Sequence, residues 1–200
     1  MSTETVTTFF ALLAFACNLF VIAVAIAWFT RRDALRDLIG PNALTLAAVI
    51  AVVATAGSLY LSEVAHFLPC RLCWFQRIGM YPLAVILPIM AWRKDLRAWV
   101  YPFALSVLAI PISIYHVLLE RWPSLETGAC DPNNPCSIVW VRHFGVATIP
   151  YMAGSAFVAI AVCCALAAAG RKELSNVEDN NETPSEAEDH AGSKRAEAIV

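Results

Sequence analysis

The sequence predicts an all-α integral membrane protein built from five transmembrane helices. Of its 200 residues, 59% are hydrophobic and 15% are charged, and the mean hydropathy of +0.62 is far above that of an average soluble domain. The apolar residues fall into long blocks and not into the short alternating runs of a membrane β-barrel. A formal net charge of −2 gives no support to nucleic-acid binding.

Five apolar runs have the length of about 20 residues that a helix needs to cross a bilayer. They span residues 7–29, 43–61, 74–92, 99–119 and 144–169. No basic segment precedes the first run, and its apolar stretch exceeds the core of a signal peptide, so we expect a retained helix. Residues 1–42 are then an N-terminal span with a cytoplasmic loop, residues 43–170 a four-helix core, and residues 171–200 a disordered acidic cytoplasmic tail.

Basic residues near the helix ends predict which connections face the cytoplasm. Three connections are enriched in them: Arg31, Arg32 and Arg36; Arg93, Lys94 and Arg97; and Arg171 with Lys172. The other connections carry few basic residues. We therefore expect the N-terminus and both cysteine-bearing loops outside, and the C-terminus in the cytoplasm.

A C-x-x-C formed by Cys70 and Cys73 stands where an outer loop enters the third span. If that helix begins near Leu72, Cys73 lies in its first turn, where free N–H groups and the helix dipole favour a thiolate. Arg77 follows four residues later and projects from the same helix face. The pattern predicts a dithiol beside a fixed cation, although Arg77 could equally reach only the lipid headgroups.

A second pair, Cys130 and Cys136, lies in the loop before the fifth span. Two prolines and two asparagines between them favour turns that bring the sulfurs within bridging reach. Since the loop is short, a disulfide there gives modest entropic stabilisation. The pair is either an ordinary disulfide of an oxidising compartment or one half of a relay. In a relay, one couple exchanges with a partner protein and the other faces a lipophilic acceptor.

A zinc site built from the four loop thiols is the competing interpretation, because zinc sites also use the C-x-x-C spacing. His66 and His143 adjoin the two loops and could join such a site. A metal would leave Arg77 without a role, so we predict none. The three remaining cysteines lie inside apolar runs and are expected to pack as small hydrophobes: Cys17, Cys163 and Cys164.

His116 lies late in the fourth span, near the predicted outer face. Ionisable residues at membrane depth are candidates for function. This histidine could hydrogen-bond a carbonyl group of an acceptor or deliver a proton to it. An ordinary interfacial histidine is the alternative.

Residues 70–82, CRLCWFQRIGMYP, resemble the C-x-x-C-W-[YF]-Q-R-x-x-M-Y-P signature of the DsbB/BdbC family of bacterial disulfide bond formation proteins. The likeness is greatest to the BdbC branch, in which the second cysteine pair is closely spaced. Tyr115-His116, the loop of the second cysteine pair, Phe144-Gly145 and residues 148–150 are similar to later parts of that family. The resemblance covers roughly residues 66–169.

This resemblance implies a membrane thiol:quinone oxidoreductase of the bacterial cytoplasmic membrane, with a four-helix core to which this chain adds an N-terminal span. Cys130 and Cys136 would take electrons from a soluble extracytoplasmic thioredoxin-fold oxidase of the DsbA/BdbD type. Cys70 and Cys73 would pass them to a quinone, either ubiquinone or menaquinone. The resemblance also implies that Arg77 stabilises the charged thiolate-quinone state and that His116 lies at the quinone pocket.

Two other functions remain open from the sequence. The same scaffold could export electrons to extracytoplasmic thiols, because relative reduction potentials set the direction of flow. A non-catalytic membrane metal-binding or scaffold protein would use its thiols structurally.

Overall fold

The computed structural model describes residues 2–30 and 39–171. Within these ranges, five helices are long and apolar enough to cross a membrane. They are α1 Thr3–Phe29, α2 Ala43–Leu59, α3 Arg71–Arg93, α4 Val100–Arg121 and α5 Ile149–Arg171. Helices satisfy their backbone hydrogen bonds internally, as the bilayer interior requires. The predicted all-α membrane fold is confirmed, whereas the basic residues of 31–36, Lys172 and the predicted tail lie outside the described residues.

The fifth helix begins at Ile149, so the predicted start at residue 144 is wrong. Two short antiparallel strands precede it, β1 Arg142–His143 and β2 Ala147–Thr148. The turn between them holds Phe144 and Gly145 with φ of 51° and 75°, values outside the α-helical region. Hydropathy alone could not separate this apolar turn from the helix that follows it.

The segment between α2 and α3 reverses the chain just before the C-x-x-C. α2 ends in a π-helical turn, Tyr60–Val64, and His66 then adopts a left-handed φ of 55°. Cys70 caps the N-terminus of α3. The predicted start near Leu72 therefore differs from the observed start by one residue.

The main core lies where α2, α3 and α5 meet. The α2 helix contributes buried alanines such as Ala47 and Ala51, α3 contributes Leu83, and α5 contributes Phe157. Small residues let membrane helices approach closely, which provides the packing contacts that hold such bundles together. Two of the remaining cysteines, Cys163 and Cys164, are fully buried in this core, as expected for packing residues.

Both cysteine pairs lie at the same end of the bundle. Cys70 belongs to a small buried cluster that also contains Cys130 and Cys136. The beginning of α1 reaches this end too, because His143 Nε2 lies 2.9 Å from the hydroxyl of Thr7. The fold therefore gathers both thiol pairs and the start of α1 on one side.

Candidate functional site

The C-x-x-C forms the N-terminal cap of α3. Cys70 has extended backbone angles, and its Sγ accepts a hydrogen bond from the backbone N–H of Cys73 at 3.4 Å. The two Sγ atoms are 3.0 Å apart, and neither cysteine is in a disulfide. As predicted, Cys73 lies in the first turn, but the N–H group of that turn stabilises charge on Cys70. The couple is thus a closely held dithiol with its first sulfur buried.

His116 of α4 contacts Cys70 of the C-x-x-C. Its Nε2 atom is 3.6 Å from Cys70 Sγ, and the ring is buried. The pKa of Cys70 is lowered to about 4, first by the hydrogen bond from the Cys73 thiol and then by the hydrogen bond and charge of His116, against the raising effect of burial. These contacts favour a thiolate on Cys70.

Arg77 is held against α2 and does not extend freely toward the membrane surface. Its Nε donates to Ser58 Oγ at 3.0 Å, and its second guanidinium nitrogen donates to the Ser58 carbonyl oxygen at 2.9 Å. The guanidinium carbon also lies 5.2 Å from the ring centroid of Trp74, within the range of cation–π attraction. The cation is therefore fixed one helical turn from Cys73.

A cavity of about 350 Å³ opens beside Cys73 and Arg77. Its volume is within the range of small-molecule sites. Residues of α1, α2, α3 and α5 line it, together with Trp140 and the segment before Cys70. Among the described lining residues, most are apolar; the polar or reactive side chains are Ser58, Ser62, Cys73, Gln76, Arg77 and Trp140. The cavity thus suits a largely apolar molecule with one polar end.

Of the six predicted site residues, two line this cavity and His116 does not. Cys73 and Arg77 are on its wall, whereas the His116 ring contacts Cys70 behind that wall. The Nδ1 atom of His116 is buried and has no hydrogen-bond partner among the described residues.

Cys130 and Cys136 form a disulfide, as the turn-forming residues between them predict. Their Cα atoms are 5.9 Å apart, within the usual range for a disulfide. A turn closes the loop, with Asp131 bridged to Asn134. Both sulfur-bearing residues are buried against Cys70 and Leu119.

Two hydrogen bonds tie the disulfide loop to the C-x-x-C loop. Arg71 donates from its guanidinium to the Ala129 carbonyl at 3.2 Å. Asn134 donates from its side-chain amide to the Pro69 carbonyl, also at 3.2 Å. The two donors lie within the cysteine pairs and the two acceptors directly precede them, so the bonds hold the couples against each other. These contacts could not be predicted from local sequence patterns, because the partners are 58 and 65 residues apart.

The four-thiol zinc site considered from the sequence is not assembled. Cys130 and Cys136 are bonded to each other, His66 is exposed, and His143 pairs with Thr7. A different set comes together instead, in which the ligand atoms of Cys70, Cys73 and His116 all lie within 4.8 Å of one another. Sulfur and imidazole ligands suit a soft cation such as Zn²⁺.

The region that forms this site is similar to known proteins. The family model described as "Disulfide bond formation protein DsbB" matches residues 41–170, which include all four loop cysteines but not α1. No solved structure matches the chain.

Curated relatives cover the same part of the chain. A "Probable disulfide formation protein" of Oceanobacillus iheyensis is 42% identical over 123 residues, covering 60% of this chain and 85% of the relative. "Disulfide bond formation protein C" of Bacillus subtilis is 41% identical over 115 residues, 57% of this chain and 83% of the relative. "Probable disulfide formation protein C 1" of Bacillus anthracis is 40% identical over 112 residues, 56% of this chain and 81% of the relative. The chain therefore belongs to the DsbB/BdbC family of membrane disulfide bond formation proteins.

Proposed function

We propose that this protein is a thiol:quinone oxidoreductase that reoxidises an extracytoplasmic thioredoxin-fold oxidase of the DsbA/BdbD type. One observation carries the proposal. The Cys70–Cys73 couple lies between a second thiol couple on one side and a largely apolar cavity on the other. A couple in this position can take electrons from its neighbour and deliver them to a lipophilic acceptor.

The first step is exchange at the Cys130–Cys136 disulfide. A thiolate of the reduced partner attacks one of the two sulfurs, which breaks their bond and forms a mixed disulfide with the partner. The partner's second thiolate then attacks that mixed disulfide. The partner leaves oxidised, and Cys130 and Cys136 hold two electrons and two protons as thiols.

The second step moves the electrons to the C-x-x-C in its oxidised form. A loop thiolate attacks Cys70, which breaks the Cys70–Cys73 bond and releases Cys73 as a thiolate near Arg77. The other loop thiolate then displaces Cys70, and the loop disulfide forms again. Cys70 leaves readily because a thiol of low pKa is a good leaving group.

A quinone would fit this cavity. The residues at the Cys73 end would hold its polar ring. Cys73 and Arg77 lie there, and the hydroxyl groups of Ser58 and Ser62 add further polar atoms. A bound quinone would supply an acceptor for two electrons and two protons. Cys73 would lie beside that acceptor, and the Cys70–Cys73 disulfide would form again as the dithiol gives up two electrons and two protons to it.

His116 has two possible roles at this site. Its position at the quinone pocket, implied by the family resemblance, stays a prediction. The geometry supports an action through Cys70, since Nε2 lies 3.6 Å from that sulfur and the imidazole can share a proton with it. We propose this second role, with His116 as a positioning residue for the Cys70 thiolate.

We further propose that the protein lies in the bacterial cytoplasmic membrane with both thiol couples outside. Disulfide exchange needs an oxidising compartment. The basic residues Arg93, Lys94 and Arg97 lie at the end of the bundle away from the cysteines, which is the arrangement that the positive-inside rule gives for this orientation.

Replacement of each loop cysteine in turn tests the electron path. We expect Cys70→Ala, Cys73→Ala, Cys130→Ala and Cys136→Ala each to lower reduction of decylubiquinone by a reduced thioredoxin-fold oxidase to the background rate. Cys164→Ala is the matched control, because Cys164 lies in the core away from the loops. Persistent quinone reduction in Cys73→Ala would falsify the proposed path.

The same assay separates the two interpretations of Arg77. If its charge serves the quinone end of the path, Arg77→Gln raises the KM for decylubiquinone about tenfold or more, the usual effect of losing a hydrogen bond to a charged group. Oxidation of the partner by the loop disulfide in a single turnover stays intact. An unchanged KM would leave Arg77 as a residue that only anchors the helix.

The two rival functions give different results in these experiments. A metal-binding protein, favoured by the proximity of Cys70, Cys73 and His116, would carry one zinc ion per reduced chain and reduce no quinone. Electron export would appear as reduction of an oxidised partner when a quinol is supplied. Neither result agrees with the proposed oxidase.

A further inference from the structure

We propose that α1 forms the wall of the quinone cavity that holds the apolar tail of the quinone. This inference rests on the function proposed above and extends it to a helix outside the matched residues 41–170. It makes α1 part of the ligand site and assigns it a share of the binding energy for long-tailed quinones.

One face of α1 lines the cavity, and the other faces the surroundings of the bundle. The lining residues recur at helical spacing along a single stripe: Phe9, Phe10, Leu13, Ala14 and Cys17. On the opposite face, Leu12 and Leu19 are 54% and 70% exposed, as expected for side chains that meet lipid. The stripe extends about 12 Å along the helix axis, at about 1.5 Å per residue.

Specific contacts hold α1 in this position at three depths. Near the outer end, Thr7 pairs with His143. One turn deeper, the Phe10 ring packs on Gly57 of α2 so closely that a Cβ at Gly57 would lie 2.5 Å from it. Deeper still, the Asn18 amide donates to Tyr151 Oη at 2.9 Å and to Ser155 Oγ at 3.1 Å.

The Asn18 contacts are informative because a polar amide inside a membrane is stabilised by hydrogen bonds to neighbouring helices. Both acceptors belong to α5, so the bonds fix α1 against the core. α1 is therefore a fixed part of the cavity wall in this structure.

The polarity of the cavity assigns the tail to this region. Ser58, Ser62, Gln76 and Arg77 gather near Cys73, at the end where the thiols lie. The deeper part lies between Ala14 and Cys17 of α1 and apolar side chains of α2 and α5, such as Val49 and Ala156. A polar ring next to Cys73 would leave a hydrocarbon tail lying along α1, since an apolar chain is most stable against apolar walls.

A matched pair of substitutions on α1 tests the inference. Ala14→Phe places a ring in the deep part of the cavity, whereas Ala16→Phe places the same ring on the exposed face two residues away. Binding is measured by quenching of tryptophan fluorescence in the purified full-length protein, with Trp140 on the cavity wall as a reporter. The probes are decylubiquinone and the same benzoquinone ring without a tail.

We expect the wild-type protein and Ala16→Phe to bind decylubiquinone more tightly than the tail-free ring by the same ratio. Ala14→Phe should reduce that ratio about tenfold, as expected when about two methylene groups of the tail lose their burial. Asn18→Leu, which releases α1 from α5, should reduce it in the same direction. Single-turnover oxidation of the partner by the loop disulfide confirms that each variant is folded.

An unchanged ratio in folded Ala14→Phe would overturn the inference. If that variant does not fold, an unchanged ratio in Asn18→Leu has the same meaning. The proposed function fails separately, in a wild-type protein that binds neither quinone. A wild-type protein that binds and reduces both, with variants that match it, leaves the function standing and removes the role of α1.

Discussion

At the scale of single residues, the two cysteines of the C-x-x-C have different surroundings. Cys70 is buried at the cap of α3, where the Cys73 thiol and His116 both contact its sulfur. Cys73 lies in the first turn of the helix and lines the cavity. The pair is therefore asymmetric, because Cys70 belongs to the cluster of the loop disulfide and Cys73 lines the cavity.

The pH dependence of Cys70 reactivity tests this asymmetry. With its pKa near 4, Cys70 of the reduced protein should be alkylated by iodoacetamide at a nearly constant rate from about pH 6 to 9, since the thiolate is the nucleophile. Cys73→Ala should move the midpoint upward most, because the Cys73 hydrogen bond is the largest cause of the shift, and His116→Ala should move it less. Peptide mapping by mass spectrometry gives the rates.

A suitable control is His66→Asn, because this histidine is exposed and asparagine tolerates its left-handed backbone. A wild-type midpoint near the ordinary cysteine value would contradict the described geometry.

The lowered pKa of Cys70 also makes the stability of the reduced fold depend on pH. The Cys70 thiolate stabilises the reduced fold fully above the pKa of an unfolded cysteine, about 8.5. That contribution is lost as the pH falls through about 4.

At the scale of elements, two hydrogen bonds join the cysteine-bearing loops to each other. The C-x-x-C loop and the disulfide loop are far apart in sequence, yet Asn134 and Arg71 bond each loop to the backbone of the other. The shared cluster of Cys70, Cys130 and Cys136 is buried. Because thiol–disulfide exchange requires contact between sulfurs, these bonds would favour the proposed transfer between the couples.

Removal of one interloop bond should slow this transfer. We expect Asn134→Ala to lower the rate of electron transfer from the loop dithiol to the C-x-x-C about fivefold, the effect of losing about 1 kcal/mol of hydrogen bonding. Asn133→Ala is the matched control, since its hydrogen bond to Asp131 uses only the backbone N–H. Rapid-mixing experiments with acid quenching and thiol labelling follow the step. Equal rates in the two variants would show that the loops need no such bond.

At the scale of the whole molecule, the alternation of the described helices places the thiol couples and the start of α1 at one end. The connection between α3 and α4, with Lys94 and Asp95, lies at the other end. This arrangement agrees with the orientation expected from the basic residues, in which the cysteine end is outside.

Labelling in intact cells tests that orientation. In a variant without the four loop cysteines, Ser2→Cys should react with a membrane-impermeant maleimide in intact cells. Asp95→Cys should react only after the membrane is permeabilised, because the proposed orientation puts its loop in the cytoplasm. Reaction of Asp95→Cys in intact cells, with Ser2→Cys protected, would reverse the orientation and end the proposal of an extracytoplasmic oxidase.

Local sequence patterns predicted which helices are present more accurately than they predicted where each helix begins. The helices follow from hydropathy, and the C-x-x-C at the start of α3 follows from its place beside an apolar run. The predicted start of the fifth helix is wrong because Phe144 and Val146 are apolar, although they lie in the turn before that helix. A scale of hydrophobicity measures transfer to lipid and contains no information on φ.

Composition and local spacing were enough to predict the membrane class, the number of apolar spans and which four cysteines lie in loops. The packing of the helices was needed to show that His116 contacts Cys70, that Arg77 bonds Ser58, and that α1 lines the cavity. Each of these contacts joins different elements, separated by 19 residues or more in the two hydrogen-bonded cases. The physical reason is that packing between helices selects such pairs, and side-chain periodicity within a helix does not specify its partner.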